Sequence, residues 1–252
     1  LLMPMSALGA AALVACAGRG EGLTTSDAGG LTCKADDAGD SAPTPPATCP
    51  PGGQAWALDW SDEFNGTNVD TSKWQFIVGT RASDQNKTYY QAGNAIESDG
   101  TLKLYAKNET VGGASFTGAE LIATSAYNQR LYGYFEARIR YQLNGPGFWC
   151  NFWMRGTTES PPEFDHEVTS NHVNQIWNQF HGADNGQWVP LDYNGQWHTY
   201  AYAWLPGQPV QFYVDNQVTH ASEMDPNVPM YPRLRAGAYD SASWGGTPDG
   251  TT

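Results

Sequence analysis

The stretch Glu163-Phe-Asp-His-Glu167 indicates its own local structure more clearly than any other part of the 252-residue chain. Acidic residues occupy alternate positions, with an aromatic residue and a histidine between them. A β-strand directs successive side chains to opposite faces, so the three acids share one face and Phe164, His166 and Val168 share the other. The pattern predicts a strand with one acidic face and one largely apolar face.

The three carboxylates on this face repel one another, and folding alone gives no reason to place them together. A solvated acidic edge strand is the alternative, but residues 147–154 upstream are almost wholly apolar, and Trp177 follows downstream. Hydrolysis of a glycosidic bond needs two carboxyl groups, one as nucleophile and one as proton donor. We therefore interpret Glu163, Asp165 and Glu167 as candidate catalytic residues.

The spacing of the acids is compatible with this chemistry on a curved strand. The Cα atoms of Glu163 and Glu167 lie about 13 Å apart on a flat strand, whereas retaining glycosidases hold their carboxyl groups about 5–5.5 Å apart and inverting ones about 6.5–9.5 Å. Side chains that lean toward each other close much of this gap. Asp165 can hydrogen-bond one partner, and like charge nearby raises one pKa, as a general acid requires. His166 points away and is expected in the core.

Composition bears on the kind of ligand. Aromatic residues make up 13% of the chain and charged residues only 15%, which suits sugars, although an ordinary all-β core also uses Tyr and Trp. Nucleic acid is not expected, because 13 Lys and Arg are outnumbered by 26 Asp and Glu, a net charge of −13. Sulfated polysaccharides are disfavoured for the same reason, unless a local basic groove overrides the overall sign.

Residues 1–16 are typical of a bacterial lipoprotein signal segment. The apolar run at 3–15 is too short to span a bilayer and resembles the h-region of a signal peptide. No basic segment precedes it, so we expect the sequence to begin inside the true leader. The run ends in Leu13-Val-Ala-Cys16, which resembles a lipobox and predicts lipidation of Cys16; a plain secretory leader is the alternative. We expect an extracellular, periplasmic or cell-surface protein.

Residues 17–54 are rich in Gly, Ala, Asp and Pro and predict a flexible tether. Cys33 and Cys49 lie within it and could close a small loop in an oxidising compartment. Cys150 lies inside an aromatic segment instead, and we expect it to be a buried free thiol.

Residues 55–252 are interpreted as one domain of short strands separated by turn signals. The clearest predicted strands are Thr101–Ala106, Gly133–Tyr141, Trp197–Trp204 and Val210–Val214. After the leader, no helical pattern of ten or more residues interrupts them. Many short strands at regular spacing predict an all-β sandwich or barrel.

The order of motifs in this domain resembles glycoside hydrolase family 16, the laminarinase and lichenase group. The Glu-x-Asp-x-Glu pattern of 163–167 is similar to the family's catalytic strand without its extra bulge residue. Further segments resemble family motifs in the same order: Trp60–Gly66, Asp99–Leu104, Gly118–Leu121 with Tyr132–Arg138, Trp197–Tyr200 with Phe212–Asp215, and Trp244–Gly246. The resemblance covers about residues 56–250.

The resemblance implies a concanavalin A-like jelly-roll sandwich, with a substrate cleft on its concave sheet and a retaining mechanism on β-1,3 or mixed β-1,3/1,4-glucan. Glu163 would be the nucleophile, Glu167 the acid/base, and Asp165 the carboxylate that holds the nucleophile. We further predict six substrate contacts: Glu120, Trp153, Asn178, His181, Tyr239 and Trp244. No cofactor or catalytic metal is expected, although many members carry a structural calcium.

Three alternatives stay open at this stage. One is a transglycosylase on β-glucan or xyloglucan, another an agar-type galactan hydrolase, and the third a non-catalytic glucan-binding module, against which the intact Glu163 and Glu167 argue. The sequence ends at Thr252 without the family's usual last strand, which predicts an exposed sheet edge. We expect a monomer that contacts a membrane only through its lipid anchor.

Overall fold

The computed structural model describes residues 6–12, 57–124, 130–156, 162–182, 184–241 and 244–248, with side chains from residue 59 onward. Cys16, Cys33, Cys49 and the tether lie outside these ranges, so lipidation and the tether stay predictions. Among the described residues no helix is long and apolar enough to cross a membrane.

Strands dominate the described chain, and its only helical elements are two single 3₁₀ turns, Ala82–Asp84 and Ala92–Asn94. The strands are β1 Ser6–Ala12, β2 Ala57–Leu58, β3 Trp74–Phe76, β4 Gly79–Thr80, β5 Thr88–Tyr90, β6 Ala95–Ser98, β7 Thr101–Leu104, β8 Phe116–Ala123, β9 Gly133–Arg140, β10 Phe148–Gly156, β11 Glu163–Thr169, β12 Gln175–His181, β13 Gln187–Pro190, β14 Trp197–Trp204, β15 Gln211–Val214, β16 Gln217–Ala221 and β17 Met230–Ala238. The predicted strand at 197–204 has the predicted bounds, and the other three are one or two residues shorter.

Two large sheets and one hairpin organise the described strands. One sheet has the order β16-β15-β14-β9-β1-β2. The other runs β13-β12-β11-β10-β17-β8-β5-β4, with β3 also paired to β8, and β6 with β7 forms the hairpin. Strand β1 pairs in parallel with β9, whose other edge is taken by β14, so β9 is an interior strand.

The core lies between the inner faces of the two large sheets, where large aromatic side chains interlock. Phe164 of β11 packs against Tyr202 and Trp204 of β14 and Phe212 of β15, with ring centroids 5.6, 5.7 and 6.2 Å away. The Tyr202 hydroxyl donates a 2.7 Å hydrogen bond to the Phe152 carbonyl, which ties the sheets together. The predicted all-β sandwich is confirmed, and Cys150 is the buried free thiol that the sequence predicts.

Candidate active site

Strand β11 carries the three predicted catalytic carboxyl groups on the face turned away from the core. Asp165 lies opposite Trp153 of β10 and Gln179 of β12, so β11 is paired on both edges. Asp165 is 2% exposed and Glu167 8%, whereas Glu163 is half-buried. The alternative of a solvated acidic edge strand is therefore wrong.

The opposite face of β11 belongs to the core. Phe164, His166 and Val168 are fully buried. The His166 ring contacts the Asn178 side-chain oxygen through Nδ1 at 2.7 Å and the Ala201 carbonyl through Nε2 at 3.1 Å. Burial lowers the pKa of His166 to about 4, so its ring is neutral at neutral pH. The prediction of a core histidine is confirmed.

Glu167 has the environment of a proton donor. Burial, followed by the negative charge of Asp165, raises the pKa of Glu167 to about 8, while Arg235 and a hydrogen bond from Trp244 act in the opposite direction. The Trp244 indole Nε1 donates that hydrogen bond to Oε1 of Glu167. Because Oε1 is occupied in this way, Oε2 is the oxygen left to carry and transfer the proton.

Backbone contacts hold Trp244 over the end of β11. The Thr169 hydroxyl donates a 3.1 Å hydrogen bond to the Trp244 carbonyl, and the Ser170 hydroxyl donates one of 3.0 Å to the Gly245 carbonyl. Gly147 allows the loop to come close, because it has a φ of 82° and an added Cβ would lie 2.2 Å from Pro248. The indole of Trp244 thereby stays within reach of Glu167.

Asp165 and His181 form an ion pair beside Glu163. Nε2 of His181 donates to Oδ2 of Asp165 at 3.0 Å, and the Asn151 amide reaches Oδ1 at 3.3 Å. Burial disfavours the charged imidazole, but the hydrogen bond and charge of Asp165, helped by Glu163 and Glu167, raise the pKa of His181 to about 9. His181 is thus a cation at neutral pH and balances the charge of Asp165.

Glu163, Asp165 and His181 are also close enough to be considered as metal ligands. One ligand atom of each lies within 4.8 Å of the others. A protonated imidazole has no lone pair for a metal, and the raised pKa keeps His181 protonated at neutral pH. The group is therefore better suited to proton and charge chemistry than to metal binding.

A cavity of about 340 Å³ opens over these acids. Six predicted site residues line it, namely Glu163, Asp165, Glu167, His181, Tyr239 and Trp244. Sequence reasoning missed the other five, Ser83, Trp149, Trp177, Gln179 and Arg235. Strand parity could have found two of these, because Trp177 and Gln179 alternate with His181 on the same face of β12.

Aromatic side chains form one wall of the cavity. The rings of Trp177, Trp188 and Trp244 pack against one another with centroids 5.0–5.1 Å apart. Trp177 and Trp244 line the cavity, while Trp188 supports them from β13. Such flat apolar surfaces are suited to stacking against sugar rings.

Three predicted substrate contacts lie elsewhere. Asn178 is fully buried on the core side of β12, bonded to His166 and to the Thr219 hydroxyl, so it cannot reach the cavity. Glu120 is 1% exposed and is held by the Arg81 guanidinium at 2.6 and 2.8 Å. Trp153 faces the cavity side but is 2% exposed, because Arg233 and Arg235 cover its ring. These three assignments are corrected accordingly.

The sequence model of the family described as Glycosyl hydrolases family 16 matches residues 82–252. The chain belongs to this family, and it is therefore an O-glycosyl hydrolase. The jelly-roll fold is also confirmed. An endo-β-1,3-glucanase structure from Pyrococcus furiosus superposes with a TM-score of 0.68 at 26% identity, covering 79% of this chain and 90% of that one.

The curated relatives that resemble this chain include a glucanase and a porphyranase. The glucan endo-1,3-beta-glucosidase of Cryptopygus antarcticus is 31% identical over 199 residues, which cover 69% of this chain and 72% of that protein. Beta-porphyranase E of Zobellia galactanivorans is 24% identical over 228 residues, covering 75% of this chain and 80% of that protein.

Proposed function

We propose that this chain is an endo-acting hydrolase of β-1,3 or mixed β-1,3/1,4-glucan that works with retention of configuration. The observation that carries the proposal is the division of tasks on β11. Glu167, with its pKa raised to about 8, is protonated at neutral pH, while Glu163 lies beside a balanced Asp165–His181 pair. The similarity to glucanases, one of them 31% identical, supports glucan as the substrate.

In the first step, the Glu163 carboxylate attacks the anomeric carbon and forms a covalent glycosyl-enzyme. The bond from that carbon to the glycosidic oxygen breaks as Glu167 gives its proton to the departing oxygen. Trp244 keeps the carboxyl group of Glu167 oriented for this transfer through its hydrogen bond to Oε1.

In the second step, Glu167 is a carboxylate and acts as a base. It takes a proton from a water molecule, whose oxygen attacks the anomeric carbon and releases Glu163. Asp165 stays paired with His181 in both steps. The charge of His181 balances that of Asp165, so Asp165 adds no net negative charge beside Glu163. The cycle uses carboxyl groups alone and needs no cofactor.

The test is a reducing-sugar assay of the full chain on laminarin, barley β-glucan, xyloglucan and agarose in parallel. Wild type should release ends from a β-glucan, and Glu163→Gln should lose this turnover while it still binds the glucan. Glu136→Gln, on the outer face of β9, is the matched control and should keep full activity. Turnover retained by Glu163→Gln would contradict the proposal.

A second candidate is hydrolysis of an agar-type galactan, which the similarity to a beta-porphyranase favours. In the same assay, release from agarose without release from either glucan would replace the glucan assignment. Product analysis with an added oligosaccharide acceptor separates hydrolysis from transglycosylation, because a transglycosylase would elongate the acceptor.

We further propose that the chain is exported and held at a bacterial membrane surface through lipid on Cys16, and that its domain is monomeric. The apolar run ending in Cys16 supports export. Cys16→Ser should move the protein from the membrane fraction to the soluble fraction. A structural calcium is proposed only from the family resemblance, and a lower melting temperature in chelator would support it.

A further inference from the structure

Three arginines cluster beside the cavity although the chain as a whole carries a net charge of −13, and one of them, Arg235, lines the cavity. Arg81, Arg233 and Arg235 surround a single carboxylate, Glu120. The nearest nitrogen–oxygen distances to Glu120 are 2.6 Å for Arg81, 3.7 Å for Arg233 and 3.9 Å for Arg235. Arg81 is hydrogen-bonded to Glu120, whereas Arg233 and Arg235 interact with it only as longer ion pairs.

Three further acids face this cluster, namely Glu163, Glu167 and Asp84. Asp84 accepts a 2.6 Å hydrogen bond from the Tyr90 hydroxyl, and burial raises the pKa of Asp84. Burial also raises the pKa of Tyr90 well above its ordinary range, so Tyr90 is neutral. Because Glu167 is protonated at neutral pH, the three arginines face Glu120, Glu163 and Asp84, and the cluster is a locally balanced site within an acidic chain.

Aromatic rings order the arginines into a ladder. The Arg235 guanidinium lies between Trp149 and Trp153, 4.1 and 4.5 Å from their ring centroids. The Arg233 guanidinium lies between Trp153 and Tyr231, at 4.8 and 5.1 Å. Contacts with two aromatic rings restrict each guanidinium, whose N–H donors lie in its own plane.

Four donors of this ladder lack a hydrogen-bond partner among the described residues, namely Nε of Arg233 and Arg235 and Nε1 of Trp149 and Trp153. Arg235 and Trp149, each 7% exposed, are the two of these residues that line the cavity over the catalytic acids. A buried donor without an acceptor is costly, so the donors of these two cavity-lining residues favour a ligand that supplies acceptor oxygens.

The ladder lies beside the acids, where a bound polysaccharide would pass. Strand β17 is separated from β11 only by β10, and neighbouring strands lie about 4.8 Å apart, so Arg235 stands roughly 10 Å from the catalytic strand. Arg235 lies in register with Asn151, which in turn lies opposite Glu167. A sugar chain that reacts at β11 would place a neighbouring unit over β17.

We propose that this ladder is a subsite for an anionic substituent, a sulfate ester or a carboxylate, on the polysaccharide that the enzyme cleaves. Arg235 and Trp149 donate to its oxygens, and Arg233 adds charge from the next position. The proposal rests on the glycoside hydrolase function above and narrows its substrate class. Planar guanidinium groups match sulfate and carboxylate oxygens in geometry and charge.

The test measures binding in a Glu163→Gln background, so that no probe is cleaved. The probes are laminarin, sulfated laminarin and carboxymethylated laminarin of matched chain length, measured by calorimetry. We expect at least one anionic probe to bind about tenfold more tightly than laminarin, as one added charge-assisted hydrogen bond would give. Raising the salt concentration should reduce this preference, because screening weakens a charged contact. The two anionic probes distinguish sulfate from carboxylate.

Arg235→Gln in the same background should bring the ratio of anionic to neutral affinity close to one. Arg138→Gln removes one charge from the outer face of β9 and should leave the ratio unchanged. Arg233→Gln is the second variant if Arg235→Gln lowers the melting temperature strongly. Because the whole protein is acidic, non-specific attraction of an anionic probe is disfavoured.

The subsite is overturned if neither anionic probe binds more tightly than laminarin, or if the preference survives in folded Arg235→Gln and Arg233→Gln proteins. The activity of wild type on neutral laminarin is scored separately. If wild type cleaves laminarin and the anionic preference is absent, the subsite fails and the glucanase stands. If only anionic probes bind and are cleaved, the subsite stands and the substrate assignment changes.

Discussion

The two faces of β11 are almost equally buried but differ in what surrounds them. Asp165 and Glu167 are 2% and 8% exposed, and Phe164 and His166 on the other face are fully buried. On the core face, Phe164 packs against aromatic rings, and the His166 ring contacts two oxygen atoms of neighbouring strands. On the cavity face, three carboxyl groups lie together, with His181 and Arg235 as the cations that act on them. The groups that surround each face, rather than its burial, therefore distinguish the catalytic face of β11 from the core face.

The pKa values of His166 and His181 show the same contrast between the two environments. Burial lowers the pKa of His166 to about 4, because the loss of water outweighs its contacts with Ala201 and Asn178 and the charge of Asp165. His181 is also partly buried, yet the carboxylate of Asp165 raises its pKa to about 9. The same residue type is a neutral part of the core in one place and a cation at the acids in the other.

Among the variants that test this comparison, Glu167→Gln should have the largest effect, because it removes the proton donor but keeps the shape of the cavity face. Turnover of glucan should fall by ~10²–10⁴-fold, the usual contribution of general acid–base catalysis. Folding stability should not fall, because the variant removes a carboxyl group that burial and Asp165 already disfavour in its charged form. Steady-state kinetics and thermal unfolding of the same sample check both expectations.

An aryl glucoside of the same linkage sharpens this prediction. Its phenolate leaves without a proton, so Glu167→Gln should slow the first step much less on this substrate than on glucan. Equal losses on both substrates would contradict the acid role of Glu167. Glu136→Gln is again the matched control for loss of an acid.

The histidine contrast predicts opposite dependences of stability on pH. In the unfolded chain both rings titrate near 6.5. Between pH 6.5 and about 4 residue 166 binds a proton in the unfolded chain but not in the folded protein, so the contribution of His166 to the free energy of unfolding should fall with acid by up to ~3 kcal/mol. The raised pKa of Glu167 acts in the opposite sense, because the folded protein holds that proton up to about pH 8. His181 stabilises the fold fully below pH 6.5, and this contribution is lost as pH rises through about 9.

Denaturant unfolding across this pH range in a Glu167→Gln background, which removes the opposing titration of Glu167, tests the two histidines with and without His181→Gln. The variant should flatten the alkaline side and leave the acid side unchanged, since His166 is untouched. NMR titration of the His166 ring gives a direct check, and a ring that titrates near 6.5 in the folded protein would contradict the contrast.

Alternation along β11 and β12 made part of the site predictable. The acid face, the core role of His166 and the bounds of the strand at 197–204 follow from period-two patterns within single strands. The same rule argues against Asn178, because positions 178 and 181 on one strand point to opposite faces. Sequence reasoning chose both.

The other errors arose from contacts between distant parts of the chain. Glu120 is occupied by Arg81, and Trp153 is covered by Arg233 and Arg235, which come from a strand far along the sequence. The pairing of β10 with β17 places those arginines next to Trp153. No pattern within a single strand predicts this pairing. The same pairing assembles the arginine cluster, which the overall negative charge of the chain gives no reason to expect.

The smallest effect concerns Trp244, which couples the aromatic wall to the acid face. Its hydrogen bond to Glu167 lowers the pKa of that acid against the larger upward effects of burial and Asp165. Trp244→Phe should therefore move the alkaline limb of kcat/KM, expected near pH 8 in wild type, to higher pH. The value of kcat should drop about tenfold, as loss of one hydrogen bond to an ionisable group would cause. Trp188→Phe changes the same aromatic cluster without touching Glu167, so it should leave the limb in place. If the alkaline limb of kcat/KM moves equally in both variants, or in neither, the aromatic wall does not act through Glu167.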